Sequence, residues 1–299
     1  MGRTPDSHAC RGVTQERNPV GSHVPVGKGL VAGALALAER LEAETIQIFV
    51  GNPRGWRLSP GDPAKDEEFR AATETMPVFV HAPYLVNLGS PTPATYEKSL
   101  AAVDHNLRRS ASLGAAGLVV HTGSSVAEGS METALRQVHD GMLPLLDLAA
   151  GLGVPILLEP TAGQGRSLCA GVEDLEAYLN ALDRHPSAGI CLDTCHVFAA
   201  GAPLDEPGGA TATLDDLVRI AGSERLRLVH ANDSMDVRGS MRDRHEKIGQ
   251  GHIGADAFAE MFAHPATEGV PFILETPGSG DEGDPDLPLL KKLREHCCP

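Results

Sequence analysis

The chain has 299 residues, a formal net charge of −15 at pH 7, 41% hydrophobic and 22% charged residues. That length and balance fit a soluble globular protein with a large core, and such an acidic sum argues against non-specific adhesion to nucleic acid. It does not exclude a nucleic-acid substrate, because carboxylates that bind divalent metals count for less than their formal charge. No apolar run reaches the roughly 18 residues of a membrane span.

The opening stretch "MGRTPDSHACRGVTQERNPV" lacks the apolar middle of a secretory signal. Residues 1–19 read as a polar, disordered extension and 20–299 as one domain of a cytoplasmic protein. Eight short apolar runs then follow in order: "GSHVPV" (the weakest), "TIQIFV", "MPVFVHAP", "GLVVHTG", "VPILLEP", "AGICLDTCH", "LRLVHAND" and "PFILETP". They are continuous and β-branched, as strands buried on both faces should be. Between them lie amphipathic stretches such as "GLVAGALALAERLEAE", "TYEKSLAAVDHNLRRSASLGA", "ALRQVHDGMLPLLDLAAGLG", "VEDLEAYLNALDR" and "ADAFAEMFAHPA". About eight strand–helix units predict a (β/α)8 TIM barrel in a single domain, with a doubly wound open sheet as the alternative.

Two local patterns mislead. Of the six cysteines, Cys191 and Cys195 flank a strand end, Cys297 and Cys298 sit at the C-terminus, and Cys10 and Cys169 stand alone. With no pair of C-x-x-C units, neither a thiolate zinc site nor a secreted disulfide framework is expected. "GQGHIG" (Gly249, Gly251, Gly254) matches the dinucleotide fingerprint, with Glu275 about the right distance on. The fingerprint needs a strand directly before its first glycine. Here the strand ends near Asn232 and the polar loop "DSMDVRGSMRDRHEKI" intervenes. No nicotinamide or nucleotide cofactor is expected, and the glycines read as a tight return into the last helix.

The strand ends carry the chemistry. Runs three to eight close on His81, His121, Glu159, Asp193, His230 and Glu275. In a barrel these ends converge on one face. One histidine there is usually a satisfied rim residue. Three carboxylates and three imidazoles buried together call for cations to offset them, and more than four ligands means more than one ion. His and carboxylate donors suit zinc, with Mn2+ or Fe2+ as alternatives at some sites. "DTCH" runs on to His196, and "RDRHEKIG" supplies Asp243 and His245. Read as extended chain, Asp193 and His196 point to opposite faces and need not share an ion. His196 with Asp243 and His245 could form a third three-ligand site.

"HAPYLVNLGSP", "VVHTGS", "LEPTAGQG", "CLDTCHVFAAG", "HANDS…GSMRDRHEKIGQGHIG" and "ILETP" together resemble the successive blocks of the endonuclease IV family, zinc-dependent abasic-site endonucleases of DNA base excision repair. The resemblance covers nearly all of the chain after the extension. It implies three zinc ions per chain. His81 and His121 would bind one, with Glu159 bridging to a second completed by Asp193, His230 and Glu275. His196, Asp243 and His245 would hold the third. Glu275, which could also orient the nucleophile, and Glu159 are the catalytic candidates. The resemblance further implies damaged double-stranded DNA as partner, with Asn52 and Arg54 of "GNPRGW" contacting it and Tyr84 and Leu85 wedging into it. Trp56 reads as structural. Arg54, Arg238, Arg242 and Arg244 would make the mouth more positive. A monomer is expected. Two positions depart from the family pattern: Thr122 stands where proline is frequent and Pro160 where asparagine is common, which unsettles the hydrogen bonds around the ligands.

The rivals are a sugar isomerase or epimerase using only Glu159, Asp193, His230 and Glu275, and a non-catalytic lesion- or metal-binding protein. The first leaves His81, His121, His196, Asp243 and His245 without a role.

Overall fold

Eight apolar runs form the strands β1 Val20–His23, β2 Ile46–Ile48, β3 Val78–His81, β4 Gly117–His121, β5 Ile156–Glu159, β6 Ala188–Asp193, β7 Leu226–His230 and β8 Phe272–Leu274. The computed structural model describes residues 17–126, 130–277 and 286–297. All eight strands are parallel, each pairs with its neighbours in sequence, and β8 closes on β1 through Val20↔Phe272. Closure leaves no sheet edge and sends every strand C-terminus to one face. The TIM barrel expected from the sequence is therefore the observed fold, not the open sheet.

Period-two alternation positions the site. The barrel interior is filled by Phe79, Val119, Leu157, Cys191, Leu228 and Ile273, all at most 2% exposed and forming a cluster separate from the main core. Two residues further along the same strands stand His81, His121, Glu159, Asp193, His230 and Glu275. Successive side chains of a strand point to opposite faces, so a residue two positions on points inward again, about 6–7 Å higher. The polar ring is the next inward layer above an apolar plug.

The larger core lies between the barrel and its helices, α1 Ala36–Arg40, α2 Pro63–Ala72, α3 Pro93–Leu113, α4 Met131–Leu152, α5 Leu175–Ala181, α6 Thr194–Ala200, α7 Gly209–Ala221, α8 Ala255–Ala263 and α9 Asp286–Cys297. The expected helix over "GLVAGALALAERLEAE" opens with π-type turns at Leu30–Leu35 before α1. The glycine-rich segment returns into α8, and a further helix, α9, follows it.

Helix α9 seals the junction between β1 and β8. The Arg294 side chain is 2% exposed; it pairs with Glu44 and donates to the Asn18 carbonyl at 2.6 Å. Asn18 is itself buried and its amide donates to the Val270 carbonyl at 3.0 Å. Asn18, just before β1, is thus tied to the barrel by hydrogen bonds to distant residues. Residues 1–16, with Cys10, and Cys298 lie outside the described residues.

Removing Arg294 would take the buried donor from the Asn18 carbonyl and leave Glu44 only Arg17 and the Val20 N–H as partners. Arg294→Ala is expected to destabilise the fold by about 3 kcal/mol in urea unfolding. Arg108→Ala, which deletes an exposed pair with Asp104 one helical turn away, should leave the midpoint nearly unchanged.

Candidate metal centre

The six strand-end residues meet around the Glu159 carboxylate, which is fully buried. His81 Nε2 lies 3.1 Å and His121 Nε2 3.3 Å from Glu159 Oε2, while His230 Nδ1 lies 3.0 Å from Oε1. His230 Nδ1 also faces Glu275 Oε2 at 3.4 Å and Asp193 Oδ2 at 3.8 Å. On the adjoining side His196 Nε2 is 3.3 Å and His245 Nε2 3.0 Å from Asp243. Three groups made only of imidazoles and carboxylates could each hold a cation: His81, His121 and Glu159; Glu159, Asp193, His230 and Glu275; and His196, Asp243 and His245. Glu159 is common to the first two.

The donor chemistry fits metal ions. Four of the five rings tie one nitrogen to an oxygen outside the cluster and turn the other towards the carboxylates: His81 donates to the Ala82 carbonyl (2.6 Å), His196 to Pro160 (3.0 Å), His230 to the Gln47 amide oxygen (2.8 Å) and His245 to the Glu275 carbonyl (3.3 Å). Such an arrangement fixes the tautomer and presents a lone pair inward. His245 Nε2 is buried and makes no hydrogen bond, although Asp243 is close.

Electrostatics agrees. Burial opposes charge on His196, yet Asp193, Asp243 and Glu159 outweigh it and push its pKa up to about 10. Against the same burial penalty Asp193, Asp243 and Glu275 raise His245 to about 9. His230 is raised by its anionic neighbours in spite of burial. Burial would lift Glu275, but His230 and His81 hold it down at about 2, and Glu159 and Asp243 are likewise held low by surrounding imidazoles. The carboxylates draw positive charge into the mouth, a role that divalent cations can take over from ring protons.

Asp193 and His196 are not on extended chain, as the sequence reading had it. Asp193 is the N-cap of α6, its Oδ1 accepting from the His196 N–H at 2.9 Å. The helical turn, rather than strand alternation, carries His196 to the Asp243–His245 side while Asp193 joins the Glu159 group.

Above the centre, Tyr84 and Leu85 are exposed, 48% and 36%, and Tyr84 packs edge-on against Phe49. The Tyr84 N–H donates to Pro53 O at 3.0 Å, tying this loop to the one that carries Asn52 and Arg54, both exposed. Asn52 Oδ1 accepts from the Arg54 N–H at 3.0 Å and shapes that tip. Trp56 packs half-buried against the core, as expected. Beside the Tyr84 loop lies a cavity of about 240 Å³ lined by Tyr84, Asn87, His121, Gln164, His196 and Asp243.

Residues 35–296 match the family described as xylose isomerase-like TIM barrel. The chain is 54% identical over 298 residues to a probable endonuclease 4 of Streptomyces avermitilis, covering 98% of this chain and 96% of the relative. The chain belongs to the endonuclease IV family. The crystal structure of endonuclease IV from Thermus thermophilus superposes with a TM-score of 0.80 at 36% identity, covering 93% of this chain and 99% of that one. A D-tagatose 3-epimerase-like protein, TM-score 0.68 at 17% identity over 93% of this chain and 96% of its own, shares the fold alone.

The two departures from the endonuclease IV pattern are absorbed locally. Thr122 Oγ1 donates to the Cys169 carbonyl at 2.9 Å, a tie that proline could not make, and Pro160 contributes only its carbonyl, which His196 uses. Cys191 and Cys195 come within ligand reach of two groups. Burial pushes the Cys191 thiol up to about 12 and raises Cys195 too, so both stay protonated and poor ligands. Three of the arginines expected to make the mouth positive have acidic partners: Arg238 pairs with Asp205 and Glu206, while Arg242 and Arg244 share Asp236.

Four polar residues escaped the sequence reading. His23 ends β1, and the strand-end rule would have caught it had "GSHVPV" been trusted. Gln47 sits within β2 and is not a usual ligand type. Asn232 bridges Asp193 Oδ2 (2.7 Å) and the Glu275 N–H (2.9 Å). Asp233 explains the misleading glycines: its carboxylate accepts N–H groups from Ser234, Gly249, Gly251, Ile253 and Gly254 at 2.7–3.3 Å. A Cβ on Gly251 would stand 2.4 Å from Asp233 Oδ1. The motif wraps an internal anion and so anchors the loop that carries Asp243 and His245.

Two outcomes follow. Asp233→Ala leaves those N–H groups without their acceptor, and should cost about 3 kcal/mol or more in urea unfolding and speed amide exchange over residues 249–254. In metal-stripped protein the folded pKa values of His196, His230 and His245 exceed the unfolded value near 6.5. Their stabilisation is therefore complete below that pH and is lost as pH rises through about 9 for His245 and about 10 for His196, with His230 losing its share above its own raised value. Thermal melts should fall between pH 7 and 10 after chelation and stay flatter when zinc is restored.

Proposed function

We propose that the chain is a zinc-dependent endonuclease that hydrolyses the phosphodiester 5′ of abasic sites in duplex DNA and leaves a 3′-hydroxyl, as a step of base excision repair. The reading is carried by one observation: nine side chains from six strand ends, helix α6 and one loop gather into three groups on one face of the barrel that could each hold a cation. Near-complete alignment with a probable endonuclease 4 supports it. An isomerase needs only the Glu159, Asp193, His230 and Glu275 group.

Zinc ions on the three groups would supply Lewis acidity, lowering the pKa of water and stabilising charge on phosphate and leaving oxygens. Glu159 holds the first two groups together. Glu275 keeps Oε1 on Gln47 and turns Oε2 inward, where it can orient the attacking nucleophile and hold its proton. His196, Asp243 and His245 form the separate group that would serve the leaving 3′-oxygen. Tyr84 and Leu85 would enter the duplex beside the lesion, with Asn52 and Arg54 gripping its backbone. An abasic nucleotide has no base to unstack, so extruding it costs a few kcal/mol less than extruding an intact one, which favours the lesion. The proposed acting form is a monomer in the cytoplasm; no helix among the described residues is long and apolar enough to cross a membrane.

The test is a duplex with one tetrahydrofuran abasic analogue, incubated with zinc-loaded protein without magnesium. Incision 5′ of the analogue is expected, with Glu275→Ala reducing kcat by at least about 100-fold. Protein shown to hold three zinc ions that nevertheless leaves the duplex intact would refute the assignment.

A further inference from the structure

Gln47 lies on β2, fully buried, with no charge and no place among the cation-binding groups. Its amide is nonetheless saturated by three other strand ends. Nε2 donates to Glu275 Oε1 at 2.6 Å and contacts His23 Nδ1 at 3.1 Å, while Oε1 accepts from His230 Nε2 at 2.8 Å. Register places it beside His23 across the β1–β2 pair, and barrel closure brings β7 and β8 within reach from the other side.

The direction of these bonds is dictated by chemistry. A carboxylate only accepts, so the amide NH2 must face Glu275. The amide oxygen must then face His230, and it can be met only by a ring N–H. His230 is thereby held with its proton on Nε2 and its lone pair on Nδ1, the atom nearest Glu159 and Glu275 Oε2. The same amide occupies Glu275 Oε1 and leaves Oε2 to the interior. His23 Nδ1, 3.1 Å away, takes the second amide hydrogen, because an amide nitrogen only donates.

We propose that Gln47 is a positioning residue of the centre: one side-chain amide selects both the ring nitrogen of His230 and the carboxylate oxygen of Glu275 that face the second metal ion. A carboxylate at this position would repel Glu275 and a basic side chain would repel His230. An apolar one of equal length would fill the space but leave both ligands free to turn. This inference rests on the zinc reading above.

The test compares wild type with Gln47→Met, which keeps the volume and deletes the amide. Zinc affinity is read by chelator competition, with the melting temperature of the zinc-free protein as a control for folding. The variant should fold as wild type does, hold one zinc per chain about 10–100-fold more weakly and keep the other two, and lose kcat at unchanged KM. Unchanged zinc affinity, or equal weakening of all three ions with a lowered zinc-free melting temperature, would overturn the proposal. A second measurement needs no variant: nitrogen-15 NMR of zinc-loaded wild type should show His230 protonated on Nε2, and the opposite tautomer would sink it. A wild-type chain that holds no zinc would instead defeat the zinc reading, so the two failures are distinct.

Discussion

Glu159 carries a negative charge in a place that water does not reach, and the upper half of the barrel is organised by that charge. An isolated carboxylate there would be costly to ionise. Rings from β3, β4 and β7 turn their nitrogens towards it, and α6 adds His196 at 3.4 Å. Asp193 and Glu275 deepen the negative potential instead of relieving it. The balance is struck by imidazoles with raised proton affinity, and the same surplus of negative charge is what makes the mouth a cation trap.

The backbone makes this arrangement simple to build. Each strand has only to place a polar residue two positions beyond an apolar one, and closure does the rest. The plug of Phe79, Val119, Leu157, Cys191, Leu228 and Ile273 seals the floor and keeps the dielectric low. Around the ring, neutral or main-chain groups rather than further charges hold the ligands: Gln47, Asn232, and the carbonyls of Ala82, Pro160 and Glu275. That choice aims the ring nitrogens without altering the charge count, so the attraction for cations is preserved.

The loops solve a different problem. Asp243 and His245 come from a long polar excursion with no barrel strand to place them, and the Asp233 carboxylate gathers the N–H groups of the glycine-rich return to fix its base. Arginines on that excursion are engaged in local ion pairs and shape the loop more than they attract phosphate. On this acidic chain, the proposed attraction for a polyanion would fall to cations held in the mouth and to exposed side chains such as Arg54.

The barrel, its strand order and the nine residues that gather at its mouth were legible in the amino-acid sequence, because buried parallel strands announce themselves as apolar runs and ligand types stand out at their ends. Sequence also separated His196 from Asp193, though through extended-chain alternation, when a helix N-cap is what parts them. What tertiary structure alone decided is the company these residues keep. Gln47 and Asn232 read as ordinary polar residues until closure brings β1, β2, β7 and β8 together. The glycines of "GQGHIG" read only as a tight return until Asp233 is seen inside their curve. Arg238, Arg242 and Arg244 read as positive charge for the mouth until their acidic partners are in place. Periodicity records which way a side chain points along its own strand; hydrogen-bond partners tens to hundreds of residues away leave no such trace, since they depend on how the sheet closes.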